Sequence, residues 1–162
     1  ITSIHADLVQ ALDLAITRLD AEIATLIAET AELARDLRTL RTIKGFGKTN
    51  APAILALMPE LGTLDRKQAA ALAGLAPHPR QSGACDAYRP TRGGRPNLKR
   101  ALFMAALVAA RHNPDIRPFY ERLRQNGKKP IVATIAVMRK LIVIANAKIR
   151  DARPKLPNQQ VS

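Results

Sequence analysis

VQALDLAITRLDAEIATLIAETAELARDLRTL, running from Val9 to Leu40, is the stretch that decides how this 162-residue chain reads. Val9, Leu12, Ile16, Leu19, Ile23, Leu26, Thr30, Leu33, Leu37 and Leu40 follow one another at intervals of three and four in strict alternation, the seam of a coiled coil. No Gly or Pro occurs before Gly45, so a continuous coiled-coil helix is expected over residues 1–41. At about 1.5 Å per residue the seam is roughly 48 Å long. A compact neighbour of modest size cannot cover it. A partner helix must, either from a second copy or from elsewhere in the same polypeptide. Thr30 is the polar residue of the seam, either setting register or simply tolerated there.

Outward from this stretch the composition stays that of a helical protein. Apolar residues make up 47% and charged ones 24%, which permits an ordinary core and argues against wholesale disorder. Most of the apolar residues are Ala, Leu and Ile, which favour helix over sheet. The length allows one domain with an appendage. A single cysteine, Cys85, excludes an internal disulfide framework and a Cys-rich zinc site. No unbroken apolar run reaches the roughly 18 residues needed to cross a bilayer, and no secretory leader is recognisable. A soluble, cytoplasmic protein with no membrane partner is therefore expected. The first residue is Ile rather than Met, and the chain is expected to be a fragment of something longer.

Charge is unevenly placed. Residues 1–38 hold three basic against seven acidic residues, a net of −4; the remainder holds 23 against six, a net of +17. Such concentrated positive charge suits a polyanion, because each phosphate neutralised releases condensed counterions. The change of sign coincides with a change of composition at Leu40-Arg41-Thr42-Ile43-Lys44-Gly45-Phe46-Gly47-Lys48-Thr49-Asn50-Ala51-Pro52. One helix ends in an apolar-x-Gly-apolar-Gly turn, and another starts behind Thr49 or Asn50 as cap, with Pro52 tolerated in its first turn. This resembles a helix-hairpin-helix motif. Gly45 and Gly47 would let the turn's amides approach a phosphate, with Lys44 and Lys48 adding charge on either side. The competing reading is a hairpin whose glycines serve only the turn.

A short helix is expected behind Asp65 as cap, with Gln68 three residues on and Gly74 at its end. Residues 75–96 then contain four prolines and three glycines, which forbid a long helix and predict an exposed loop or small β-hairpin. From residue 80 to residue 100 the basic side chains Arg80, Arg89, Arg92, Arg95, Lys99 and Arg100 face a single acid, Asp86. Arginine suits planar two-point contact with phosphate oxygens, which makes this segment the expected working surface. Asn97 is a candidate cap for a helix reaching His112, with Leu98, Leu102, Ala105, Ala106 and Ala109 on its apolar face. Pro114 opens another helix that closes at Gly127. Pro130 opens a last one through Arg150, with Ile131, Ile135, Met138, Ile142 and Ala145 spaced for a core. The expected fold is all-α: a coiled-coil helix over 1–41, a compact helical domain over 42–153 carrying the loop or β-hairpin insertion, and a tail over 154–162.

The series Thr42-Ile43-Lys44-Gly45-Phe46-Gly47, Leu72-Ala73-Gly74-Leu75-Ala76-Pro77, Arg80-Gln81-Ser82-Gly83, Gly93-Gly94-Arg95, Arg100-Ala101-Leu102-Phe103-Met104-Ala105-Ala106, His112-Asn113-Pro114, Phe119-Tyr120-Glu121-Arg122-Leu123 and Val137-Met138-Arg139-Lys140-Leu141 resembles the C-terminal half of the insertion-sequence one-ten transposases, mobile-element recombinases guided by a bridge RNA. The resemblance covers nearly the whole chain, in order. Lys44 stands where that family often has Pro. The resemblance implies an N-terminal RuvC-like domain, not contained in these residues, whose Asp-Glu-Asp-Asp cluster would hold Mg²⁺; no cofactor is expected in the fragment itself.

By the same resemblance Ser82 matches the nucleophile of DNA strand cleavage and transfer. Its hydroxyl is weak unless activated, and no clear base lies beside it, so the fragment alone is expected to be inert. His78, Cys85 and Tyr88 read as loop residues. Phe119 and Tyr120 read as core or interface, and the scattered acids make no convincing metal cluster. The implied function is a serine-dependent transposase or DNA recombinase whose partners are DNA, a guide RNA and a second copy through the coiled coil. The alternative is a non-enzymatic helix-hairpin-helix module that binds DNA or RNA. A coiled-coil scaffold with incidental charge is the third reading.

Overall fold

The structure, a computed structural model, describes residues 2–76 and 93–154. It divides into two compact units, residues 1–35 and 36–162.

In the first unit, α1 runs over Thr2–Glu29 and α2 begins at Ala31, continuing to Arg41. The continuous helix expected from the seam is thus interrupted at Thr30. The Thr30 N–H donates to Ile27 O at 3.3 Å, three residues back instead of four, and the regular ladder resumes with Ala34 N donating to Thr30 O at 2.9 Å. A β-branched residue is a weak helix former, and a tightened turn there costs little. The seam residues of α1 are exposed, from 45% at Ile23 to 62% at Leu26, so no described residue of the unit covers them.

In the second unit the described residues contain helices and no strands. After α2 come α3 (Asn50–Leu57), α4 (Arg66–Leu72), α5 (Pro96–His112), α6 (Arg117–Gln125) and α7 (Pro130–Ala152). Helix α5 packs along α7, α3 lies on α5, and α4 and α6 lie on α7. Leu98, Leu102, Ala105, Ala106 and Ala109 are buried on α5, the face expected from their spacing. The alanines let the neighbouring helices come close.

Helix α7 buries a broader face than its sequence suggested: Ala133, Thr134, Val137, Met138, Leu141, Ile142, Ala145, Asn146 and Ile149. Ile131 is 49% exposed and does not belong to it. Helices α4, α5 and α6 all pack on α7, so burial extends round much of the cylinder. By length and mean hydropathy, 1.6, this helix would suit a bilayer, yet 44% of its most apolar window is buried inside the protein. A central core helix has the same composition.

Local signals set the helix ends. Asp65 caps α4 by accepting from Lys67 N and Gln68 N at 2.6 and 2.8 Å, while Gln68 Oε1 accepts from Asp65 N at 3.0 Å, a complete capping box. Asn97 is not a cap: α5 starts one residue earlier with Pro96 at its first position, where a missing N–H costs nothing. The buried Asn146 of α7 staples the loop between α3 and α4. Its Oδ1 accepts from Gly62 N at 2.8 Å and its Nδ2 donates to Leu64 O at 2.6 Å. At the other margin Arg153 donates to the buried Asp36 carboxylate at 2.8 Å, tying the end of α7 to α2.

Asn146→Ala should lower stability by about 2 to 3 kcal/mol, because two backbone groups lose their partner away from water. Urea unfolding should show an earlier midpoint with an unchanged slope.

Candidate nucleic-acid interface

The turn between α2 and α3 is built from both faces. Ile43 and Phe46 are each only 4% exposed and anchor it in the core, leaving Lys44, Gly47, Lys48 and Thr49 at the surface. Gly45 has φ +127°, and a β-carbon on it would meet Ala105 O at 2.9 Å and Ala109 Cβ at 3.0 Å. Its lack of a side chain therefore serves close packing on α5. Gly47 is the exposed member of the pair, but its amide is engaged, donating to Asn50 Oδ1 at 2.6 Å. Asn50 Nδ2 in turn donates to Gly45 O at 3.0 Å. Asn50 thus bonds backwards across the turn instead of capping α3, and Thr49, at the cap position, makes no capping bond. The turn presents two exposed lysines on a rigid backbone. Its two glycine positions are occupied by internal contacts.

A second feature lies at the far end of α3. Gly74, with φ +66°, and Gly94, with φ +78°, stack backbone on backbone. A β-carbon on Gly94 would overlap the nitrogen and Cα of Gly74, and one on Gly74 would overlap the carbonyl of Gly93. Arg95 N donates to Leu72 O at 3.1 Å just beyond. The two strands of chain that bound residues 75–92 therefore meet in a closed neck.

Arg95 locks it. Its guanidinium straddles the Glu60 carboxylate, Nη2 to Oε1 at 2.6 Å and Nη1 to Oε2 at 2.9 Å, and Nη1 also donates to Leu57 O, the last carbonyl of α3, at 2.6 Å. The hydrogen bond from Arg95 holds the Glu60 carboxyl below the usual carboxylate range, and Glu60 raises Arg95 in return. The sequence groups Arg95 with the arginines expected to contact phosphate; in the structure it is an internal clamp.

Of the other expected site residues, Lys99 is half-buried and engaged within the protein, and Arg100 is exposed on α5. Ser82, Arg80, Arg89 and Arg92 lie outside the described residues. The lysine turn and the Arg95 neck stand at opposite ends of the eight-residue α3, roughly 12 Å apart along its axis.

Two participants were missed from sequence. Glu60 gave no signal beyond being one of six scattered acids in the basic part of the chain. Asn113 stood visible before Pro114 at the end of a helix. It is 6% exposed; its Nδ2 donates to Lys44 O at 2.9 Å, and its Oδ1 accepts from Asp115 N at 2.9 Å. Among the described residues no group of three or more His, Cys, Asp or Glu side chains could hold a metal ion.

Comparison with known proteins puts the chain among the transposases. Residues 37–121 match the family described as Transposase IS116/IS110/IS902, and the chain belongs to that family. It is 38% identical over 143 residues to the pilin gene-inverting proteins of Moraxella lacunata and Moraxella bovis, an alignment covering 86% of this chain and 44% of theirs. It is 35% identical over 149 residues to the uncharacterized 42 kDa protein of insertion element IS900 from Mycobacterium paratuberculosis, covering 88% of this chain and 36% of that one. The chain spans less than half the length of these curated relatives.

Gly94→Ala should destabilise far more than Gly93→Ala. Both residues have positive φ, but a β-carbon on Gly93 meets nothing within 4 Å. Strain alone costs about 1 to 2 kcal/mol, and only Gly94 adds an overlap with backbone. Thermal melting of the two variants checks this.

The neck should also be acid-sensitive in a defined sense. Glu60 titrates below its unfolded value, so its contribution is present above that value and disappears as pH falls through the lowered one. Hydrogen exchange at the Arg95 amide should stay protected where an ordinary glutamate is half protonated, near pH 4.3, and lose protection only below.

Proposed function

We propose that these residues form the part of a transposase that supplies Ser82 as the nucleophile for DNA strand cleavage and transfer. One observation carries the reading: inside the family-matched region, a Gly74–Gly94 contact locked by Arg95 and Glu60 closes the base of the segment that bears Ser82. A fixed base narrows the search of a reactive group for its target, a prerequisite for effective positioning. Pilin gene inversion, for which the two Moraxella relatives are named, is a DNA rearrangement, and the third relative is a protein of an insertion element.

In the proposed chemistry Ser82 Oγ bonds to the phosphorus of a DNA phosphodiester while the bond from phosphorus to one strand end breaks. The hydroxyl proton passes to a base, and the departing oxygen takes up a proton. The other strand end is held as a phosphoserine ester until a hydroxyl of a new end attacks the phosphorus and restores the serine. Arginines near Ser82 in sequence, Arg80, Arg89 and Arg92, are suited to stabilising the charge that builds on the phosphoryl oxygens. Activation of the hydroxyl must come from elsewhere. Mg²⁺ on a carboxylate cluster would supply it by favouring the alkoxide and aligning the phosphate, but the described residues offer no such site, and no step here passes through the ion.

The partners in this reading are DNA, a guide RNA that selects it, and a second copy on the seam of α1. Val9, Ile16 and Ile23 alternate there with Leu12, Leu19 and Leu26. β-branched residues at one core position and leucine at the other favour two parallel strands.

In the full-length transposase, Ser82→Ala should abolish the covalent protein–DNA adduct seen on denaturing gels while leaving DNA binding intact. An adduct that survives the substitution would overturn the serine assignment. A full-length protein that binds nucleic acid but never forms an adduct would favour the non-enzymatic module.

A further inference from the structure

We propose that a cavity beside the Gly45 turn, gripped by Lys44 and by Lys148 of α7, docks one backbone phosphate of a bound nucleic acid. The proposal rests on the reading that this chain contacts nucleic acid, and it adds a residue more than a hundred positions away from the turn.

The cavity has a volume of about 160 Å³ and is lined by Thr42, Lys44, Asn113, Asp115, Ile116 and Lys148 among others. That is several times the roughly 30 Å³ share of one water, room for a phosphate group with part of its hydration. Lys148 Nζ lies 3.4 Å from Thr42 Oγ1. Thr42 already gives its hydroxyl hydrogen to Thr39 O at 2.7 Å, so toward Lys148 it acts as acceptor. An ammonium has three hydrogens, and this contact engages one. The side chain of Lys44 is exposed and makes no hydrogen bond or ion pair among the described residues. Neither lysine is neutralised by a carboxylate among the described residues.

The floor is pre-set. Asn113 fixes the Lys44 carbonyl at 2.9 Å, and Ile43 and Ile116 are buried beneath it. A site whose backbone is already ordered spends less on binding. One feature opposes an anion: Asp115, also on the rim, carries a carboxylate that pairs with neither lysine. Two cations against one anion leave the cavity positive, and Asp115 moderates its grip. Lys48, exposed four residues from Lys44, extends the positive edge beyond the rim, as a polymer with successive phosphates requires.

Binding of the 162-residue chain to a fluorescent duplex DNA and to a hairpin RNA, followed by anisotropy across a salt series, tests this. Lys148→Ala should weaken binding on the order of fivefold and reduce the slope of log K against log salt by about 1. Asp115→Asn should tighten binding. Lys128→Ala is the comparison, an exposed lysine at the other end of α7, roughly 30 Å away along the helix. Melting curves exclude variants that unfold. A larger effect of Lys148→Ala on DNA than on RNA, or the reverse, identifies which backbone occupies the cavity. If the wild-type chain binds salt-dependently but Lys148→Ala matches Lys128→Ala, or Asp115→Asn gives no gain, the cavity is not a phosphate site and the wider reading stands. Failure of the wild-type chain to bind either polymer overturns both.

Discussion

Two backbones without side chains touch at Gly74 and Gly94, and the organisation of the site depends on that contact. Were a β-carbon present at either place, the ends of the intervening segment would have to separate. The separation would pull Arg95 off Glu60 and off the last carbonyl of α3. Through Arg95 the neck is joined to α3; through α3 it is joined to the lysine turn; and α3 and α5 bury their shared face in the core. Sterics at one point thus propagate through a charge-assisted clamp to a rigid body. The arginine is held by two-point contact with a carboxylate, the geometry in which a guanidinium is strongest and a lysine would not substitute.

The positive charge of the second unit is not all of one kind. Arg95 and Arg153 are spent on holding the chain together, against Glu60 and the buried Asp36. Arg117 pairs with Glu121 one turn along α6. Lys44, Lys48, Arg100 and Lys148 point their charge outward. A net charge says how strongly a surface draws a polyanion, and only the structure separates cations that face it from those that build the scaffold.

Much of the fold was legible because its signals are local. The capping box at Asp65 and Gln68, Pro130 at a helix start, and the alanine-rich face of α5 each depend on residues within a turn or two of one another. What escaped depends on partners far apart in sequence. The broad buried face of α7 follows from three helices packing on it, which no periodicity within α7 reports. The roles of Gly45, against α5, and of Asn50, folded back on the turn, were hidden because a glycine-rich turn has the same sequence whether its amides face a ligand or its own helix. Arg95 read as one more member of a basic run because Glu60 lies 35 residues upstream. Thr30, noted as the polar member of the seam, is where the structure breaks the helix, a consequence of propensity that the apolar period outweighed on paper. The segment bearing Ser82 was marked by its prolines, glycines and arginines, and by its likeness to a family, rather than by any chemistry that spacing alone could establish.

The Asn113 carboxamide bridges the corner between α5 and α6 to the carbonyl of Lys44. A single inserted or deleted residue at either place would break register with the other, although 69 positions separate them. Drift in length at one is therefore tolerable only alongside a matching change at its counterpart, so these two short connections constrain each other.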